Sequence, residues 1–151
     1  MAGDWLDEYV EAKQDQWATN KVNLLLAQRA EGGAPRLFRV LADRVRDDVE
    51  RYQTQVGGQG LQFYWRPSRE FVVSRSQYPA VALTVTLKGV TIEYRHSVRR
   101  DDTDSARPTE GYFRIGADLA GNVQARQGEK WFTDAAEISA ALLKPVFDAL
   151  P

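Results

Sequence analysis

The sequence predicts an α+β fold in which two N-terminal helices precede an antiparallel meander of about six strands and a C-terminal helix packs on one face of the sheet. Apolar residues recur at steps of three or four over residues 4–56 and again over 133–150, which is typical of amphipathic helices. Over residues 61–127 the apolar period changes to two, which is typical of half-buried strands. This order predicts a single α+β domain over residues 1–151.

The first 56 residues are predicted to form a helical hairpin. Neither Pro nor Gly interrupts the stretch from Asp4 to Ala30, so a first helix is expected there. Residues 31–35 read Glu-Gly-Gly-Ala-Pro, and we place a helix-to-helix turn at them because Gly favours a helix end and Pro a first turn. A second helix is expected over residues 35–56. Its apolar stripe consists of Phe38, Leu41, Val45, Val49, Tyr52 and Val56.

The best-defined hairpin is predicted around a two-residue turn at Lys88 and Gly89. That turn places Leu87 opposite Val90, Val85 opposite Ile92, and Leu83 opposite Tyr94 on the buried side. Other strand pairs are expected around turns at residues 67–69 and 120–122. A final helix is expected to be capped by Thr133 or Asp134 and kinked at Pro145.

The composition narrows the classes of function. The chain has 151 residues, a formal net charge of −1 and no cysteine. The charge argues against binding to nucleic acid, and the absence of cysteine excludes disulfides, thiolate catalysis and Cys-ligated metals. The acidic start has no apolar core of a signal peptide, and no apolar run approaches about 18 residues. We therefore expect a soluble, cytoplasmic protein without membrane association.

Three patterns resemble catalytic, metal-binding or phosphate-binding sites, and none of them is predicted to have such a role. His96, the only histidine, has no acid that sequence spacing would place beside it, so no triad can be built. The exposed loop over residues 99–109 is rich in acids, but Ala106 and Arg107 stand where a calcium loop needs an oxygen ligand and a glycine. The Gly57–Gly60 run follows a helix instead of preceding one, so it is a helix end. No catalytic residue, metal or cofactor is predicted.

The outward positions of the predicted strands form a surface rich in Tyr and Arg. Aromatic rings offer contact area at little entropic cost, and guanidinium groups bind carboxylates or phosphates. The predicted binding residues on this surface are Tyr64, Arg66, Arg95, Tyr112 and Arg114.

These observations favour a non-catalytic protein-interaction or accessory domain, whose partner is another protein or a second copy of the chain. The first helix supports this hypothesis because it carries Trp5, Tyr9 and Trp17. One alternative is a small-molecule binding protein with an apolar cavity between sheet and helices. Its predicted lining is Phe63, Trp65, Phe71, Tyr94, Phe113 and Trp131. A second alternative is a hydrolase-like enzyme that uses carboxylates and His96. Paired carboxylates for glycoside-type hydrolysis would have to come from Glu70, Glu93 and Glu110 on different strands.

Overall fold

The computed structural model describes residues 4–67, 69–105 and 107–151, and it confirms an α+β fold with an antiparallel sheet and a C-terminal helix. Seven strands pair antiparallel with their sequence neighbours, in the order β1 to β7. The predicted turn at 67–69 and the loop at 99–109 each include one position, Ser68 and Ala106, that lies outside the described residues. The elements are α1 (Asp4–Val56), β1 (Gln62–Arg66), β2 (Glu70–Arg75), β3 (Ala80–Lys88), β4 (Thr91–Arg99), β5 (Thr109–Ala117), β6 (Val123–Gln127), β7 (Lys130–Phe132) and α2 (Ala135–Asp148).

The prediction of two N-terminal helices was wrong, because α1 is one continuous helix of 53 residues. Pro35 lies inside it. Ala30 and Ala34, on either side of the glycine pair, are both buried against the rest of the protein, so tertiary packing continues through the predicted turn. Gly33 serves that packing, since a Cβ atom there would lie 2.7 Å from Cγ2 of Val123 in β6. The glycine marks a close approach of helix and sheet and not a helix end.

The two adjacent glycines of α1 give opposite predictions. Nothing outside the helix lies within 4 Å of a Cβ at Gly32, so Gly32→Ala is expected to raise the free energy of unfolding by about 0.5–1 kcal/mol. Gly33→Ala is expected to lower it, because Val123 would have to move. Urea unfolding measures both, and Val123→Ala should rescue Gly33→Ala. Equal stabilisation by the two alanines would contradict the close approach.

The hydrophobic core lies between one face of the sheet and the two helices. The part of α1 from Ala30 to Val49 and one face of α2 supply the helical layer. Phe71 lies at the centre of an aromatic cluster, with ring centroids 5.4 Å from both Phe38 and Phe63. The strand residues of this core are Phe71, Val73, Val81, Leu83, Val85, Leu87, Ile92, Phe113, Ile115, Ala125 and Phe132.

The predicted register of the β3–β4 hairpin was displaced by two residues. Lys88 pairs with Thr91, so the turn consists of Gly89 and Val90. Gly89 has φ +59°, and a two-residue hairpin turn of this kind needs glycine at its first central position. The observed pairs are Leu87 with Ile92, Val85 with Tyr94, and Leu83 with His96. Because the displacement is an even number, every side chain keeps its predicted face.

The C-terminal region contains one strand more than expected, β7, which pairs with β6. Asp134 caps α2, since its side chain accepts a hydrogen bond of 2.9 Å from the backbone N–H of Glu137. Thr133 instead donates its hydroxyl to the Glu137 carboxylate at 2.8 Å. Pro145 lies inside α2.

Candidate functional site

The sheet face that the helices leave uncovered carries all five predicted binding residues. Strand pairing arranges its side chains in rows across the strands. The three central rows are Arg66, Glu70, Thr86, Glu93 and Tyr112; Tyr64, Val72, Thr84, Arg95 and Glu110; and Lys88, Thr91, Arg114, Arg126 and Trp131. We call this surface the open face.

Much of the positive charge on the open face is neutralised by neighbouring carboxylates. The ion pairs are Arg66–Glu70 at 3.4 Å, Lys88–Glu93 at 3.0 Å and Arg95–Glu110 at 3.6 Å. Arg66 also donates to the Tyr64 hydroxyl at 3.5 Å and lies 5.6 Å from that ring. The hydrogen bond to Tyr64 is the main cause that raises the pKa of Arg66. Arg114 and Arg126, which lie opposite each other in the third row, take part in none of these ion pairs.

The structure brings only two of the five predicted residues into one hollow. Arg95 and Tyr112 help to line a shallow depression of about 610 Å³ on the open face. Tyr64 and Arg66 lie on the edge strand β1, outside this lining. Arg114 lies in another row, directly opposite Arg126. The predicted residues therefore share a face but do not converge on one point.

Trp131 belongs to the open face and not to the predicted apolar cavity. Its side chain is 46% exposed. The ring covers Gly116, where a Cβ atom would lie 3.1 Å from Cη2 of the indole, and the guanidinium carbon of Arg126 lies 5.7 Å from its centroid. The neighbouring Phe132 is buried in the core, so strand alternation could have predicted the outward direction of Trp131.

The six residues of the predicted cavity do not enclose a common space. Phe71 and Phe113 are buried, and each lies in ring contact with other core aromatics. Trp65 and Trp131 are exposed large side chains at opposite edges of the sheet. Trp65 lines a hollow with Phe38 and Leu87, whereas Tyr94 lines the depression on the open face.

His96 faces the core side of β4, with Leu83 and Thr109 as its strand partners. Its Nε2 atom is buried and has no hydrogen-bond partner among the described residues. Burial lowers the pKa of His96 below its ordinary value of 6.5. An imidazole in this setting is neutral near pH 7, and the described residues place no carboxylate against it that would orient it for catalysis.

His96 gives a prediction for the dependence of stability on pH. Because the folded protein disfavours the charged imidazole, the unfolded chain binds a proton more readily, and stability is expected to fall as the pH drops below about 6.5. His96→Leu should remove this decline between pH 7 and pH 5, where no other histidine titrates. Urea unfolding at several pH values measures the effect. The same decline in His96→Leu would contradict the assignment.

Two carboxylates of the acidic loop, those of Asp101 and Asp104, accept hydrogen bonds from within the loop or its flanking strand. Asp101 accepts hydrogen bonds from the side chain and the backbone N–H of Thr103 at 2.7 and 2.9 Å, and the side-chain bond is the main cause that lowers the pKa of Asp101. Asp104 accepts from the backbone N–H of Arg100 at 2.9 Å. Among residues 4–67, 69–105 and 107–151, no group of three or more His, Asp or Glu side chains is placed to hold a metal ion.

The first part of α1 is a second candidate site. Its first buried residue is Ala30, and residues 4–25, which we call the free segment, extend beyond the sheet for about 33 Å. Trp17 at its centre is 61% exposed. The aromatic residues of this helix are evident in the sequence, but the sequence does not indicate that the sheet leaves them uncovered. The exposed large apolar residues of the free segment are Trp5, Leu6, Tyr9, Val10, Trp17, Val22, Leu24 and Leu25.

Comparisons with protein-family models, with curated proteins and with solved structures returned no match to this chain. In the part of the chain that the structure describes, no helix combines the length and the hydrophobicity that a membrane crossing requires.

Proposed function

We propose that this protein is a non-catalytic interaction domain that presents the free segment to a protein partner. The proposal rests on one observation: eight large apolar side chains are exposed on the free segment, the part of α1 that extends beyond the sheet. Exposed apolar surface of this kind marks interaction sites, and an amphipathic helix is a common recognition element. The cytoplasmic location expected from the sequence is part of this proposal.

Four of these side chains lie on one side of the helix, with Lys13 and Asn20 between them along its length, and we call the four apolar residues the stripe. Leu6, Val10, Trp17 and Leu24 lie within about 40° of one another around the helix axis. Val22 lies about 160° from Leu24, on the opposite side of the helix. The stripe therefore lies on one side of the helix, so a single partner surface could contact all four residues.

The free segment also lacks the tertiary contacts that stabilise the rest of α1. Most helical stability in proteins comes from packing of an apolar face. From Ala30 onward that packing is supplied by the sheet. In the free segment, a partner would supply it.

The residues predicted for each of the two alternative functions do not lie together. The residues of the predicted cavity are divided between core and surface. Of the carboxylates considered for hydrolysis, Glu70, Glu93 and Glu110 all lie on the open face, whereas His96 faces the core side of the sheet. A catalytic step that uses both groups together has no geometric basis in this arrangement.

Site-specific photo-cross-linking in cells tests the proposal. A photoreactive benzoyl-phenylalanine at position 17 or 24 is expected to form covalent adducts with protein, and the same group at position 22 is the matched control. Adducts at 17 and 24 that are several times stronger than at 22 would support a docking stripe. Absence of adducts at 17 and 24, or equal yields at all three positions, would overturn it.

A further inference from the structure

We propose that the partner of the free segment is a second copy of this chain, and that the two segments pair as an antiparallel two-helix coil. This inference rests on the proposed function and names its partner. It is carried by the spacing of the apolar stripe, by the length of the free segment and by the positions of its charges.

The stripe has the heptad spacing of a coiled coil. Val10, Trp17 and Leu24 are seven residues apart and occupy one core position of the repeat, a. Leu6 occupies the other core position, d. Lys13 and Asn20 are the following d residues. The seam, which is the line of a and d residues where the two helices meet, therefore contains two polar positions. Because polar core positions weaken a coiled coil while specifying its register, we expect a dissociation constant in the micromolar range.

One antiparallel register uses the whole free segment. Core positions a and d face each other across an antiparallel pair, which places Leu6 against the partner's Leu24 and Trp17 against the partner's Lys13. In the same register Asp4 lies opposite the partner's Leu26. Leu26 is the point where α1 first borders the sheet, since it lines a hollow with Gly89, Val90 and Arg114. The overlap therefore ends where the sheet begins.

Charge complementarity favours this orientation. The start of the free segment is acidic, with Asp7, Glu8 and Glu11, while its two lysines come later. In the antiparallel register Asp7 faces the partner's Lys21, and symmetry repeats this ion pair. Lys13, which lies 5.7 Å from the Tyr9 ring, would also meet the partner's Trp17, a good cation–π acceptor.

A parallel arrangement of the two segments would be less favourable, both for the charges and for the placement of the two sheets. It would place Lys13 against the partner's Lys13 in the seam and leave Asp7 without a basic neighbour. It would also bring two sheet domains side by side on helices whose axes are about 8–10 Å apart. The antiparallel pair separates the two domains to opposite ends.

Sedimentation equilibrium of the full chain tests the seam. The unaltered protein is expected to form a dimer at micromolar concentration. Leu24→Glu should weaken the dimer by at least about a hundredfold, because the symmetric pair loses two buried leucines. The matched control is Val22→Glu, which adds the same charge on the opposite side of the helix and should change the dissociation constant by less than about threefold. A dimer that survives Leu24→Glu would overturn the proposal.

Cysteine cross-linking tests the orientation, because the chain contains no cysteine of its own. In the antiparallel register a mixture of Leu6→Cys and Leu24→Cys is expected to give a disulfide-linked heterodimer under mild oxidation. Each variant alone should not, since its two cysteines would lie about 27 Å apart. Efficient cross-linking of each variant with itself would indicate a parallel pair and overturn the register.

A charge exchange tests the ion pair. Asp7→Lys and Lys21→Asp are each expected to weaken the dimer by about tenfold at low salt, since each creates two like-charge contacts. An equimolar mixture of the two variants should associate as well as the unaltered chain, because both contacts in the heterodimer are again of opposite sign. A mixture no stronger than its components would contradict the register.

The failure of this inference is distinguishable from that of the proposed function. A chain that stays monomeric at high micromolar concentration, together with photo-adducts from position 17 to a different protein, would overturn self-pairing and retain the interaction domain. A monomeric chain without any adducts would overturn both.

Discussion

Replacing Phe71 by alanine is expected to lower the free energy of unfolding by about 3–5 kcal/mol. Phe71 is fully buried at the point where β2 meets α1. Its ring contacts those of Phe38, Phe63 and Trp65, at centroid distances of 5.4, 5.4 and 6.1 Å. The substitution would leave a cavity among three aromatic rings that cannot collapse without moving both the helix and the edge strand.

Urea unfolding followed by far-ultraviolet circular dichroism measures this loss. Tyr112→Ala is the control, because it removes an aromatic ring that is 60% exposed on the open face. It should change stability by less than about 0.5 kcal/mol. A loss below about 1 kcal/mol for Phe71→Ala would mean that the helix does not pack on β2 as described.

Asp48→Ala is expected to cost about 1–3 kcal/mol by breaking the polar link between the two helices. The hydroxyl of Ser139, which is fully buried in α2, donates to an Asp48 carboxylate oxygen at 2.7 Å. Arg44 donates to the same carboxylate at 3.1 Å. Removal of Asp48 leaves the Ser139 hydroxyl buried without its acceptor, whereas removal of Ser139 leaves a carboxylate still bound by Arg44.

A double-mutant cycle with Ser139→Ala measures the coupling. Ser139→Ala alone should cost less than Asp48→Ala, and the double variant should cost less than the sum of the two single losses. The neighbouring Asp47, which is exposed, supplies the control, and Asp47→Ala should be nearly neutral. Strictly additive losses would contradict the hydrogen bond between Asp48 and Ser139.

One part of α1 stabilises the fold, and another part, the free segment, forms the proposed interface. Residues from Ala30 to Val49 contribute seven buried side chains to the core. The stripe residues of the free segment contribute none of the buried core. Substitutions such as Leu24→Glu are therefore expected to change association without unfolding the domain, which is the property that makes the proposed interface testable.

The faces of the sheet could be predicted from the sequence. Alternation placed Leu83 and Val85 in the core and Arg95 and Tyr112 outside, and the structure agrees. The exact partners could not be predicted, because two adjacent turns around Gly89 satisfy the same alternation. The observed pairing of Lys88 with Thr91 distinguishes them, because it places Gly89 and Val90 in the turn.

The candidate site could be predicted only in part. The apolar residues of the first helix were visible in the sequence, but an apolar stripe on a helix is equally consistent with burial against a sheet. Whether Trp17 meets the sheet or water depends on where the sheet ends relative to the helix. That relation involves residues distant in the chain, such as Val90 and Ala117, which line a hollow together with α1 residues from Leu26 to Glu31.

The sequence by itself determined the fold class, the sides of the strands and the set of apolar residues available for packing, because these depend on local periodicity. Only the tertiary structure decided that residues 31–35 continue one helix, since Gly33 is required by contact with Val123 and not by a helix end. It also decided that the free segment is uncovered. Both outcomes follow from contacts between residues far apart in the chain, on which local sequence patterns carry no information.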